Sequence, residues 1–172
     1  MGVTTNGFSG FSTTAYALAV VNGGLYIGGT FNRGGGLLTP NLARWDLATG
    51  AWSSPGVPAS TGDVNVRALA GLGNRLLVGG VFTSLDDTFA RSVAILNTRT
   101  GTWDVLGSGL GWRNGVPRAS AVAIRADSIV IGGEISQAGP HPSLGLARYS
   151  GNFGVDPQPV LRPRAYLPML RR

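Results

Sequence analysis

Three glycine doublets divide this chain of 172 residues into repeats. Each doublet ends a short apolar run, at Gly28-Gly29, Gly79-Gly80 and Gly132-Gly133, so the spacing is 51 and then 53 residues. A fixed period of this length indicates several copies of one small β unit that are stacked on one another. Alanines recur with the same spacing on both sides of the doublets, at Ala17, Ala68 and Ala121 and at Ala43, Ala94 and Ala147.

Each copy predicts four short strands and no helix. In the first copy, Leu18–Val21 and Leu25–Ile27 are apolar and are separated by Asn22-Gly23-Gly24, which is typical of a hairpin turn. A third strand is predicted over Leu42–Asp46 and a fourth over Ala51–Ser53. No stretch has a sustained helical period with caps, so we expect almost no helix.

The glycines and aromatic residues have a structural interpretation. Two glycines at the end of a strand allow a close backbone approach or a bulge. Trp52 and Trp103 are large enough to fill the space between two packed sheets. In the third copy the last turn shortens to Ser150-Gly151-Asn152, which predicts a tighter hairpin with Phe153 in the place of the tryptophan.

The segments "LYIGG…WDLATGAW", "LLVGG…LNTRTGTW" and "IVIGG…YSGNF" resemble the kelch repeat of β-propellers. The segment "LYIGGTF…NLARWD" is also similar to repeats of long secreted bacterial propeller proteins. The resemblance implies an all-β fold, a partial β-propeller of about three four-stranded kelch-like blades around an axis. A β-trefoil, which also has three four-stranded repeats, is the alternative. The expected divisions are a lead-in strand or linker at 1–14, blade 1 at 15–65, blade 2 at 66–118, a short blade 3 at 119–155 and a Pro/Arg-rich tail at 156–172.

Three blades are fewer than the roughly four to eight with which propellers close. An open stack would expose apolar faces and strand edges. We therefore expect a second copy that completes a six-bladed ring as a homodimer, or further blades from a longer chain.

The basic charge does not indicate nucleic-acid binding. The net charge is +6, and all 14 basic residues are arginine. Residues 157–172 contain four of these arginines and no acid, so the repeats themselves are close to neutral. A nucleic-acid interface needs a clustered basic face with stacking aromatic residues, whereas the remaining arginines are scattered. No apolar run approaches the roughly 18 residues of a membrane span.

Residues for the usual catalytic and metal-binding chemistry are scarce. Cysteine is absent and His141 is the one histidine, which excludes thiolate chemistry and histidine triads. We therefore expect no enzyme activity, no metal and no cofactor. The paired loop acids Asp86 and Asp87 could bind calcium or act on a sugar, but solvated loop charges are the simpler interpretation. Glu134 stands in the register of Thr30 and Val81, which suggests a position facing the axis.

The loops between the second and third strands, at 32–40, 83–91 and 136–144, differ most between the copies. A constant framework with divergent loops on one rim is how a scaffold displays binding residues. The candidate binding residues in these loops are Arg33, Asp86, Asp87, Arg91 and His141.

These features favour a non-catalytic interaction or adhesion module whose partner is an unknown protein or a glycan. The resemblance to secreted propeller repeats implies that the intact parent is extracellular or at the cell surface. No signal peptide is recognisable near Met1, so we expect this chain to be a C-terminal fragment of a larger exported protein whose signal lies upstream. The alternatives are part of a carbohydrate-active propeller enzyme and a gene remnant without an autonomous role.

Overall fold

The structure, a computed structural model, describes residues 7–8, 13–56, 58–59 and 63–153. These residues form strands, turns and loops, and they contain no helix. Consequently no helix among them is long and apolar enough to cross a membrane. The Pro/Arg-rich tail predicted at 156–172 lies outside the described residues.

The described residues contain strands of very different lengths. In chain order they are β1 (Thr14–Val21), β2 (Gly24–Thr30), β3 (Arg33–Gly34), β4 (Leu37–Leu38), β5 (Leu42–Asp46), β6 (Trp52–Ser53), β7 (Pro58–Ala59), β8 (Asn65–Leu72), β9 (Arg75–Val81), β10 (Ser84–Leu85), β11 (Thr88–Phe89), β12 (Val93–Asn97), β13 (Thr102–Val105), β14 (Leu110–Gly111), β15 (Arg118–Ile124), β16 (Ser128–Glu134), β17 (Gln137–Ala138), β18 (His141–Pro142) and β19 (Leu146–Ser150).

The long strands build one antiparallel sheet from each repeat. Blade 1 has the order β1-β2-β5-β6, and blade 2 has the order β8-β9-β12-β13. Blade 3 has the order β15-β16-β19 within the described residues. The all-β prediction is confirmed, and the β-trefoil alternative is wrong because each main sheet uses strands of its own repeat.

The three sheets are stacked, with their first strands nearest to one another. β8 lies against β1 on one side and against β15 on the other. We call the side of a blade that is turned to the preceding repeat its front face and the opposite side its back face. Because side chains alternate along a strand, each blade contributes to two apolar layers. The layer between blades 1 and 2 includes Tyr26 and Leu76, and the layer between blades 2 and 3 includes Ile95 and Ile129.

The two glycines of a doublet have different functions in this packing. A Cβ on Gly79 would lie 2.7 Å from Val122 Cγ1, so the first glycine gives room to the front face of the next blade. A Cβ on Gly80 would meet the backbone carbonyl of Asn65 in the same blade. The second glycine therefore sits opposite the β-bulge that displaces Arg67 from the ladder.

The tryptophans are placed differently from the prediction. Trp52 is half-buried, and its ring lies against the glycine backbone of the β3–β4 hairpin, where a Cβ on Gly34 would be 3.1 Å away. Trp103 is also half-buried and covers Gly56 in the connection between blades 1 and 2. Both side chains close the outer edge of the apolar layers and do not fill their centre.

The end of the third repeat also departs from the prediction. The N–H groups of Gly151 and Phe153 donate to the carbonyl oxygens of Asp127 and Ala126, at 3.1 and 2.7 Å. The backbone therefore runs on past the β15–β16 turn, and the hairpin predicted at Ser150-Gly151-Asn152 is wrong. Phe153 is buried between blades 2 and 3, so it does not take the position that the tryptophans have in the other repeats.

Candidate interaction surface

The connection between the second and third long strands is a small hairpin in every blade: β3–β4, β10–β11 and β17–β18. One residue with positive φ ends each connection, Asn41 at 62°, Ser92 at 64° and Gly145 at 78°. The backbone N–H of this residue donates to the carbonyl oxygen of the first residue after the second long strand, at 2.9 to 3.0 Å. Its carbonyl accepts from the second doublet glycine, at 3.0 to 3.1 Å. We call these three connections the rim hairpins.

The segment that enters a blade braces its rim hairpin. β7 pairs with β10, and β14 pairs with β17, so two of the hairpins gain a third strand. Gly7 and Phe8 precede β7 by one period of 51 residues. Phe8 packs against Phe31, with ring centroids 4.4 Å apart, and meets Trp52 edge-on at 5.5 Å. The second and third hairpins therefore rest on the chain that leads into their own blade, and Phe8 packs beside the first hairpin.

The structure places the five predicted binding residues in the three rim hairpins, at one end of the blades. Arg33 is exposed on β3 and donates to the carbonyl oxygen of Gly36 at 3.0 Å. Asp86 and Asp87 form the exposed tip of the second hairpin, where Asp86 has a φ of 46°. Arg91 is exposed in the loop that follows β11.

His141 is half-buried on β18, opposite Ala138. The five residues thus share an end of the molecule, but they are distributed over three blades. Among the described residues, no group of three His, Asp or Glu side chains is arranged to hold a metal ion.

A second set of polar residues at this end was not predicted. The β-bulges of the first strands displace Tyr16, Arg67 and Ser120 from their ladders. The guanidinium carbon of Arg67 lies 5.3 Å from the centroid of the Tyr16 ring, a cation–π contact between neighbouring blades. Arg67 Nε donates to Asn65 Oδ1 at 2.9 Å. We call Tyr16, Arg67 and Ser120 the bulge row.

Glu134, which follows the third doublet, belongs to the same end of the molecule. It lies opposite Arg118 in the β15–β16 ladder, and the two side chains form an ion pair at 3.5 Å. Both side chains are partly exposed, so water screens the pair and its effect on stability is small. This carboxylate is therefore held by an arginine of its own blade.

These elements offer hydrogen-bond donors and acceptors and charges of both signs on a braced backbone. Such a surface suits recognition by many weak contacts. The bulge row could not be predicted from the sequence, because a tyrosine, an arginine and a serine share no side-chain chemistry. The three residues are equivalent only by their position in the strand pairing.

Antiparallel sheets that are repeated along the chain and stacked by their first strands define this molecule as part of a β-propeller. The family model described as the Rax2 C-terminal beta propeller domain matches residues 9–152. The chain therefore belongs to that family. Among the curated proteins compared with it, none matches the chain.

Proposed function

We propose that the chain is a non-catalytic interaction or adhesion module that recognises a protein or a glycan with its rim hairpins. The observation that carries the proposal is the contrast between backbone and side chains in these hairpins. Asn41, Ser92 and Gly145 make the same backbone hydrogen bonds in all three blades. The sequences between those fixed points differ in charge, size and polarity.

The chemistry of the rim supports a polar ligand. Arg33 and Arg91 supply guanidinium groups, and Asp86 and Asp87 supply carboxylates on a single turn. The bulge row adds an aromatic ring and a hydroxyl at the same end of the blades. Aromatic rings beside hydrogen-bonding groups suit both the apolar face of a sugar ring and the side chains of a protein loop.

The experiment compares a rim whose charged side chains are neutralised with a turn at the opposite end that is neutralised in the same way. The rim variant carries Arg33→Gln, Asp86→Asn, Asp87→Asn, Arg91→Gln and His141→Gln; asparagine at position 86 tolerates the positive φ there. The matched control carries Arg125→Gln and Asp127→Asn in the β15–β16 turn, where both side chains are well exposed. Each labelled chain is applied to a glycan array and to an array of extracellular protein domains.

We expect the unaltered chain and the control to be captured on the same spots, with at least a tenfold loss for the rim variant. Capture of neither chain on either array contradicts the proposal, and so does capture that the rim variant retains. Release of reducing sugar by the unaltered chain would show a hydrolase and would contradict a non-catalytic role.

We further propose that the repeat is of the kelch type and that the parent protein is exported. The kelch proposal is supported by the aromatic residue on β5 and the tryptophan on β6, with six residues between them, after a diglycine on β2. A crystal structure whose blades do not superimpose on kelch blades would contradict it. Export is supported by the resemblance to secreted propeller repeats, and retention of the expressed parent protein inside its cells would contradict it.

A further inference from the structure

The back face of blade 3 lacks the cover that the other back faces have. The residue paired with the first doublet glycine is Leu42 in blade 1, Val93 in blade 2 and Leu146 in blade 3. Leu42 and Val93 are fully buried by the next blade, whereas Leu146 is 50 % exposed. An apolar position that is buried twice and exposed the third time indicates an interface without its partner.

The front face of blade 1 shows the complementary defect over part of its area, since Ile27 and Ala43 on this face are buried but other apolar residues are not. Trp45 occupies the position of Leu96 in blade 2 and Tyr149 in blade 3, since each pairs with the second residue of its sheet's second strand. Leu96 and Tyr149 are at most 2 % exposed, whereas Trp45 is 37 % exposed. On the first strand, Leu18 and Val20 are 62 and 66 % exposed.

The first doublet glycines show how such faces fit together. A Cβ on Gly28 would lie 3.0 Å from Val66 Cβ on the front face of blade 2. A Cβ on Gly79 would be equally close to the front face of blade 3. On Gly132 the nearest atoms to an added Cβ are Ala121 Cβ and the carbonyl oxygen of Gly145, at 3.8 and 3.9 Å, both within blade 3. The same recess is filled twice by a neighbouring blade and is open at the end of the stack.

We propose that a second copy of this chain docks head to tail, with the front face of its blade 1 on the back face of blade 3. Leu18 and Ala15 of the second copy then take the places that Val122 and Ala119 of blade 3 take against Gly79. Their positions correspond because each pair has the same register against its own second strand.

The second copy is the occupant to which the geometry points, because one chain carries both unfinished halves of one repeated interface. The docked surface continues an interface that the chain already forms twice, between blades 1 and 2 and between blades 2 and 3. Two copies joined at both pairs of faces give six blades, a number at which propellers close. Assembly of this kind is independent of what the rim hairpins bind.

The solution mass tests the proposal with one substitution on each face. Sedimentation equilibrium of the unaltered chain should give twice the chain mass of 17.7 kDa. Gly132→Val and Leu18→Asp should each give the single mass with an unchanged circular dichroism spectrum, since both sites are open in the isolated chain. Phe89→Asp, at a residue 66 % exposed on a rim hairpin, is the control and should keep the double mass.

Mixing the two variants separates head-to-tail docking from symmetric docking. The Gly132→Val chain retains an intact blade 1 front face, and the Leu18→Asp chain retains an intact blade 3 back face. The mixture should therefore recover a dimer with one intact junction. A dimer formed by Leu18→Asp alone or by Gly132→Val alone would contradict the head-to-tail geometry.

A cross-link provides a second test that does not depend on affinity. Since the chain has no cysteine, the double variant Ala15→Cys, Gly132→Cys should oxidise to a covalent dimer. Phe89→Cys, Thr100→Cys is the control, at exposed positions of blade 2, and should form no covalent dimer. A single mass for the unaltered chain, or equal cross-linking of both variants, would overturn the proposal; capture by the rim could then still be measured.

Discussion

The glycine doublets allow a prediction in which identical substitutions have opposite effects according to the blade. Gly28→Ala adds a Cβ against the Cβ and Cγ1 atoms of Val66, and valine cannot turn away because its χ1 is stiff. Overpacking of this kind costs about 1–3 kcal/mol. Gly132→Ala meets only ordinary contacts at 3.8 and 3.9 Å, and its φ is not positive. Alanine there should be neutral or should stabilise by up to about 1 kcal/mol, because it restricts the unfolded chain.

The second glycines of the doublets provide the internal control. A Cβ on Gly29, Gly80 or Gly133 would run into the carbonyl oxygen of its own first strand. Alanine at any of these three positions should therefore destabilise the chain, whichever blade carries it. The dependence on the blade should be confined to the first glycine.

Urea unfolding in the Leu18→Asp background, which keeps the chain monomeric, measures these free energies. For a chain of this size each kcal/mol lowers Tm by about 2–4 °C. Equal destabilisation by Gly28→Ala and Gly132→Ala would refute the reasoning, since it would mean that the first glycine is needed within its own sheet and not by the next blade.

Three further predictions concern single side chains. The backbone N–H of Thr49 holds the pKa of Asp46 at about 2, below its ordinary 3.8, so this carboxylate stabilises the fold above pH 3.8 and the effect is lost as the pH falls towards 2. Asp46→Asn should therefore show a smaller loss of Tm than the unaltered chain over that range. Burial raises the pKa of Tyr149 from 10.0 to about 12, so its contribution is complete below pH 10 and is lost as the pH rises to 12; Tyr149→Phe should resist alkali better, in a thermal scan against pH. Ser92→Ala removes a buried hydroxyl that donates to the carbonyl oxygen of Pro117 and should cost about 1–3 kcal/mol in urea unfolding.

The sequence alone was sufficient for the long strands because each has a strong local signal. Gly23 ends a turn with a φ of 73°, and the apolar runs on both sides become β1 and β2 as predicted. A close backbone approach or a bulge was expected of the doublets, and the structure has both. Their division between the first and second glycine was not, because it depends on which backbone passes nearby.

The rest depended on contacts that are distant in sequence. The strands of the rim hairpins have two residues each, which is too short for a pattern of alternating apolar and polar residues. The turn of the second hairpin has a positive φ at Asp86, which the residue type alone does not predict. The hairpin expected at Ser150-Gly151-Asn152 was inferred from turn residues, but bonds from Gly151 and Phe153 to the preceding turn keep the chain extended. For the candidate site, the loops were predictable from their variation, whereas the bulge row was not.

The packing of one blade's back face on the next blade's front face is tested most directly by a disulfide between Gly28→Cys and Val66→Cys. The Cβ positions are 3.0 Å apart, about 0.5 Å short of the disulfide range, so the two blades must separate slightly, and the substitution removes the valine methyl groups that crowd the site. Mild oxidation of the folded chain should leave no free thiol and should lower the chain mass only by two hydrogen atoms, whose electrons pass to the added oxidant. In the control, Val66→Cys with Gly132→Cys, both thiols should stay free, because no atom of Val66 lies near Gly132. Free thiols in the first variant, or equal oxidation in the control, would contradict the stacked blades.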